Sequence, residues 1–275
     1  MRYPKDLSLW EYAPGRELAQ IVLRLRNVKG ALAQVSKAVA EMDINTLSGF
    51  DSASSASKVG IWSFFADITD SKNDIESLRQ RLLALPVVVS AEILLDGSGF
   101  MVDRQHFPLR LANRRALIMR TEALSEMISH MWRVFGTGAA TIIDQMAEAM
   151  GRYSAHDLVE DFGREFVVGS LVEVLQTYTA MGYADVEVVR NSGSDAITVQ
   201  ARDLFECESN AGKKLRRKSI FFRGHLRGFI SAIFQSEFEV TEVQCIAEGD
   251  EKCSFVLARV ESIVPRVPMD SEEQA

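Results

Sequence analysis

The feature that most constrains this chain is a change of hydrophobic period within its first hundred residues. Over residues 18–26 apolar and polar side chains alternate, with Ile21, Leu23 and Leu25 on one side. A period of two belongs to a strand with one buried face. After the turn Asn27-Val28-Lys29-Gly30 the step lengthens, and Leu32, Val35, Val39 and Met42 recur at helical spacing. Asp43-Ile44-Asn45 closes that helix, and residues 46–50 and 59–68 read as two strands joined by a Ser/Ala-rich loop at 52–57. Asp70 or Ser71 caps a second helix running to about Ala84, with Ile75, Leu78, Leu82 and Leu83 inward, before Pro86 stops it. Residues 87–95 form a last strand. The order βαββαβ predicts a ferredoxin-like sandwich, the first part of an α+β protein.

The segment before this unit, residues 1–16, reads as a lead-in tail, and the unit itself spans 17–97. Asp96-Gly97-Ser98-Gly99 and Pro108 mark a boundary, with 98–112 as a linker in which His106 is a solvated loop residue. From residue 113 the period is helical. Leu117, Met119, Leu124, Met127, Ile128, Met131, Trp132 and Phe135 form one stripe, broken at Gly136-Thr137-Gly138. Residues 139–150 and 166–181 read as two more helices, followed by Gly151 and Gly182. His130 and His156 have no partner spacing and read as satisfied histidines. Strands follow at 183–190 and 197–206 around a turn at 191–194. The basic run 212–218 lacks the interleaved aromatics of a stacking surface and reads as a solvated loop. Residues 219–235 make a helix whose Gly224, Gly228 and Ser231 fit a close helix–sheet contact. Residues 238–247 and 254–260 close the unit as a hairpin, and 263–275 is a polar, acidic tail without the composition for a core.

Length and charge narrow the function. A chain of 275 residues accommodates two domains, and 47% hydrophobic with 25% charged residues is a globular composition. A net charge of −7 argues against direct nucleic-acid binding. No apolar run approaches the ~20 residues of a membrane span, and the N-terminus has no signal-peptide core, so a cytoplasmic protein is expected. Three cysteines in such a compartment point to metal or catalysis before disulfides. Two of them, Cys245 and Cys253, flank the Gly249-Asp250 turn of the closing hairpin, and Glu242 precedes the first by three positions. Strict alternation puts residues three apart on opposite faces, so a bulge or a strand end must bring Glu242 and Cys245 together. Zinc prefers four ligands. Cys207, the remaining thiol, is one source of the fourth and water is another. The competing reading has Cys245 and Cys253 as small buried side chains facing each other, with Glu242 exposed.

Two resemblances add to this. Asn27-Val28-Lys29-Gly30-Ala31-Leu32, followed by Asp43-Ile44-Asn45-Thr46, resembles the ACT domain, with Asn27 and Lys29 departing from that family's usual Asp and Pro. The resemblance implies dimerisation, or an amino-acid effector held at Asn27, Gly30, Ala31, Leu32 and Asn45. Gly224-x-x-x-Gly228, Glu242-Val243-Gln244-Cys245 and Gly249-Asp250-x-x-Cys253-x-Phe255 resemble the 4-vinyl reductase domain and the sensory domain of phenol-responsive activators, over about 113–262. That resemblance implies a helices-plus-antiparallel-sheet domain and a zinc ion at Glu242, Cys245, Cys253 and a helix-start cysteine. Ser219 stands at the helix-start position here, which leaves Cys207 to complete the set.

The reading that joins these strands is a regulatory protein that senses a small apolar or aromatic molecule. Trp132, Phe135, Phe205, Phe221 and Phe222 are the candidate pocket residues, and a homodimer is the expected assembly. The alternatives are an enzyme or assembly factor for a tetrapyrrole-like substrate, and a scaffold for protein assembly. No Rossmann glycine fingerprint, Ser/His/Asp set or paired carboxylates support the enzyme, so no catalytic residue is assigned.

Overall fold

The computed structural model describes residues 3–190, 197–208 and 219–260. The turn at 191–194, the basic run and the acidic tail anticipated above lie outside the described residues. The chain divides into two compact units, Met1–Leu117 and Ile118–Ala275.

In the first unit, strands β2 (Leu18–Arg26), β3 (Asn45–Ser52), β4 (Val59–Asp67) and β5 (Val88–Asp96) form an antiparallel sheet in the order β3-β4-β2-β5. Helix α1 (Ala31–Ala40) joins β2 to β3, and α2 (Ile75–Leu83) joins β4 to β5. The register sets Ile21 opposite Phe64 on one side and Ile93 on the other. That lines up Ala19, Ile21, Leu23 and Leu25 against Val35 and Val39 of α1 and Leu78 and Leu82 of α2, which make the core. Helix α2 starts later than residues 70–71. The Ser71 hydroxyl donates instead to the Met42 carbonyl at 3.0 Å. Asp74 is the cap, its Oδ1 accepting the Ser77 N–H at 2.8 Å. Asp74→Ala is therefore expected to lower the melting temperature of this unit by a few degrees, read by circular dichroism. An equal loss from Asp70→Ala would move the cap back to residue 70.

The segments read as lead-in and linker are paired with each other. Strand β1 (Trp10–Tyr12) runs antiparallel to β6 (Phe100–Val102), with Trp10 opposite Val102. Met101 turns inward from this ribbon onto Leu18 and Phe65, on the sheet face away from the helices. His106 is half-buried rather than solvated: its Nδ1 lies 2.8 Å from Asp103, which also accepts Gln20 Nε2 at 2.8 Å. A small hairpin, β7 (Arg110–Leu111) and β8 (Arg114–Arg115), follows.

The second unit opens with α3 (Thr121–Phe135) and α4 (Gly138–Phe162). Helix α4 does not end at Gly151 but runs through it for 25 residues. The reason is its neighbour α9 (Ile220–Phe234). A Cβ on Gly151 would stand 2.0 Å from the His225 carbonyl oxygen, and one on Gly228 would stand 2.1 Å from that of Glu148. The glycines of α9 thus serve a helix–helix contact, not the helix–sheet contact that their spacing suggested. The single helix expected over 166–181 is three short ones, α5 (Arg164–Gly169), α6 (Leu171–Leu175) and α7 (Thr177–Ala180). Arg164 Nη1 donates to the Ala232 carbonyl at 2.8 Å, and the Val186 N–H donates to Thr179 at 2.9 Å, so this segment is tied at both ends to other elements.

Strands β9 (Asp185–Arg190), β10 (Ile197–Arg202), β11 (Phe238–Gln244) and β12 (Cys253–Arg259) make an antiparallel sheet in the order β11-β12-β10-β9. Strand β10 stops at Arg202, before the residues read as its end. Asp203 takes a positive φ of 51°, and Phe205–Glu208 form the one-turn helix α8. Phe222 of α9 meets Phe255 of β12 at a ring distance of 5.2 Å. Among the described residues no helix is long and apolar enough to cross a membrane.

Candidate metal centre

Four ligand-bearing side chains converge where α8, the N-terminus of α9 and the β11–β12 hairpin meet. Ligand atoms of Cys207, Glu242, Cys245 and Cys253 all lie within 4.8 Å of one another, and all four residues are buried. The hairpin achieves this by a register shift between Glu242 and Gln244. The bulge puts Glu242 and Cys245 on one side, as their spacing of three requires. Beyond Cys245 the chain makes a 3-10 turn (Ile246–Glu248) and reverses at Gly249, whose φ is +113°. Asp250 Oδ2 accepts the Cys245 N–H at 2.7 Å and holds the loop shut.

The donor set fits a mononuclear thiophilic ion. Two thiolates bound tetrahedrally at about 2.3 Å are about 3.8 Å apart. Cys207 Sγ and Cys245 Sγ are 3.7 Å apart. Both oxygens of Glu242 are held by Ser219, through its N–H at 2.8 Å and its hydroxyl at 2.6 Å. A carboxylate has about four lone-pair sites, so these bonds leave room for ligation. Ser219 itself is fully buried, with its Oγ 3.0 Å from Cys207 Sγ and 3.6 Å from Cys253 Sγ.

Without a cation the cluster resists ionisation. Burial pushes the Glu242 carboxyl up to about 8, against the bonds from Ser219 that pull it down. Contact with Cys245, then with Cys253, drives the Cys207 thiol upward. For Cys253 the contact with Cys207 pulls down, but contact with Cys245 and burial prevail, leaving it at about 12. Cys245 is the thiol that its neighbours, Cys207 first, favour as the anion. A bound divalent ion would stabilise all the anions together and release their protons.

One residue of this region escaped the sequence reading. Glu206 is buried beside Cys207, and burial pushes its carboxyl up to about 7. Its two oxygens accept the N–H groups of Phe221 and Phe222, each at 3.0 Å. No local sequence signal marks it, because its partners lie 15 and 16 positions away.

Next to the cluster, aromatic rings fill the interior. Phe205, Phe221 and Phe222 are buried. Phe205 contacts Phe221 and Tyr183, and Phe222 contacts Tyr178. Tyr178 sits at their centre, its hydroxyl 2.8 Å from His225 Nδ1. Burial holds His225 down at about 4 and Tyr178 well above the usual phenol range, so the pair is neutral. Trp132 packs half-buried at the edge of this core, whereas Phe135 is 53% exposed and stands outside it. Tyr178 and His225 were not anticipated; each is buried by tertiary packing that leaves no periodic mark.

In the first unit, Asn27, Gly30, Ala31 and Leu32 line a cleft of about 410 Å³ with Arg26 and Asp51. Gly30, at φ +80°, precedes α1 in a left-handed conformation. The Asn27 amide donates to the carbonyls of Ser54 and Ser57 at 3.0 and 2.9 Å, tying the β3–β4 connection to this turn. Asn45 begins β3 and is not among the residues lining the cleft.

Comparison with known proteins concerns the second unit. The family model of the 4-vinyl reductase domain matches residues 219–259. An uncharacterized protein of Methanocaldococcus jannaschii, MJ1460, is 26% identical over 129 residues, 47% of this chain and 80% of that protein. Among solved structures, the phenol-responsive sensory domain of the transcription activator PoxR, with phenol, has a TM-score of 0.45 at 19% identity, covering 54% of this chain and 78% of that one. A vinyl-4-reductase family protein from Methanocaldococcus jannaschii has a TM-score of 0.32 at 18% identity, covering 54% and 100%. The matched residues 219–259 include Glu242, Cys245 and Cys253 but not Cys207. The C-terminal part of this chain carries a domain of the 4-vinyl reductase family.

Proposed function

We propose that this protein is a small-molecule-sensing regulatory protein whose 4-vinyl reductase-type domain is braced by a zinc ion at Cys207, Glu242, Cys245 and Cys253. The observation that carries the reading is the convergence of those four buried ligands within 4.8 Å. Three thiolates and a carboxylate suit zinc, and a buried four-donor set is the closed kind that supports structure instead of opening a coordination position for chemistry. The sensed ligand is apolar or aromatic and binds in the ring-lined interior of the same unit. A ligand entering there takes the place of Tyr178 against His225, so a ring bearing a hydrogen-bonding group is favoured.

The N-terminal unit is of the ACT type in this reading. Its β-α-β-β-α-β order and the sheet order β3-β4-β2-β5 support that assignment. The cleft at Asn27–Leu32 then receives an amino-acid effector, or the unit serves to dimerise the chain. The Gly30 turn at the α1 N-terminus suits a carboxylate.

Purified protein is expected to carry about one zinc per chain, and Cys245→Ser almost none. Elemental analysis after dialysis measures this, and equal zinc in both would sink the metal site. A thermal-shift screen separates the two ligand sites. Stabilisation by aromatic compounds supports the interior of the C-terminal domain, and stabilisation by amino acids alone moves sensing to the N-terminal cleft.

A further inference from the structure

Cys207 reaches the metal centre on an element that cannot hold itself in place. Helix α8 has four residues, and a single helical turn fixes several dihedrals for one hydrogen bond. Its first turn is anchored from behind: the Phe205 N–H donates to the Tyr183 carbonyl at 3.0 Å, and Ser125 Oγ donates to the Phe205 carbonyl at 3.2 Å. Those bonds fix where α8 begins. Glu206 is the side chain that ties it to α9, where both its oxygens receive backbone N–H groups that the helix leaves without intrahelical partners. The same helix end holds Glu242 through the Ser219 N–H. The N-terminus of α9 thus gathers two of the four candidate ligands, one directly and one through its neighbour in sequence.

We propose that Glu206 is the positioning residue that seats Cys207 in the metal centre. The proposal rests on the metal reading above. Residues 205–207 then form one rigid link: Phe205 packs in the aromatic interior, Glu206 grips the end of α9, and Cys207 faces the other thiols. Losing the grip frees Cys207 while leaving Cys245, Cys253 and Glu242 in place. A ligand that displaced the ring of Phe205 would be felt at the metal by the same route.

The test uses the full chain loaded with cobalt(II) in place of zinc, because thiolate-to-cobalt charge-transfer absorption counts bound thiolates. In the wild type the band is that of three. Glu206→Ala is expected to lower it by about a third, one thiolate in three, and to weaken metal affinity about 10- to 100-fold. Cys207→Ser gives the same spectral loss, and adding Glu206→Ala to it lowers the band no further. Glu206→Gln, which keeps one acceptor oxygen and the side-chain shape, falls between and carries the test if the alanine variant does not fold. A general loss of stability alone would leave the thiolate count unchanged. Three thiolates retained in a folded Glu206 variant would overturn the positioning role while the metal site stands. A wild type with no charge-transfer band would overturn the metal reading and this inference with it.

Discussion

Gly228→Ala should destabilise the C-terminal unit by about 3 kcal/mol or more, at the severe end of single substitutions. The added carbon would sit 2.1 Å from the Glu148 carbonyl oxygen and 2.8 Å from its carbon, so it meets backbone that cannot rotate aside. Gly151→Ala meets the mirror problem at the His225 carbonyl, 2.0 Å away, and at the Phe229 nitrogen, 2.8 Å away. Each helix is notched where the other's backbone passes. Relief requires α4 and α9 to separate, and that would also loosen the Arg227 bridges to Asp144 and Glu148 at 2.7 and 2.5 Å. Gly169 is the control. Nothing lies within 4 Å of its would-be Cβ, so Gly169→Ala should be neutral or slightly stabilising, since Ala is the better helix former. Urea unfolding of the three variants reads this. A Gly228→Ala midpoint equal to that of wild type would show that the helices are not in backbone contact.

The second large effect concerns where the fourth ligand comes from. Cys207→Ser is expected to cost more than about 100-fold in zinc affinity, beyond what loss of a supporting residue does. The double variant Cys207→Ser, Ser219→Cys should recover much of it. Ser219 Oγ lies 3.0 Å from Cys207 Sγ and 3.6 Å from Cys253 Sγ, so a sulfur at 219 enters the same cage. The chain has moved a donor from the start of α9 to α8 without moving the centre itself. Competition with a chromophoric chelator measures both affinities. Weak binding by the double variant would mean that Ser219 is needed as a serine to hold Glu242. At free zinc a hundredfold over the Kd, bound metal adds roughly 2.7 kcal/mol of stability, so recovery should also appear as a higher melting temperature.

How much of this was legible in the sequence follows from how local each signal is. The alternation at Ile21, Leu23 and Leu25 and the three-four spacing at Val35 and Val39 are written within single elements, and those elements are where they were expected. Glu242, Cys245 and Cys253 sit within a dozen residues, so their convergence needed only a bulge and a glycine turn. Gly151 misled because its usual meaning, a helix end, is local, whereas its use here is set by a helix some 75 residues later in the chain. Residues 205–208 read as the end of a strand because the turn at Asp203 leaves no compositional mark. Glu206 was invisible for the same reason: a buried carboxylate is legible only with its partners, and those come from another helix.

The β1–β6 ribbon sets how the N-terminal unit can be handled. Because Trp10 faces Val102, the chain enters and leaves that unit at neighbouring points. Tension applied across those two points loads the ribbon's hydrogen bonds one after another, as in opening a zipper, instead of all at once in shear. The ribbon should therefore part at low force, ahead of the four-stranded sheet. Doorways set side by side also make the unit portable: spliced between two residues of a host loop, it would ask that loop to open by little more than the width of a strand pair.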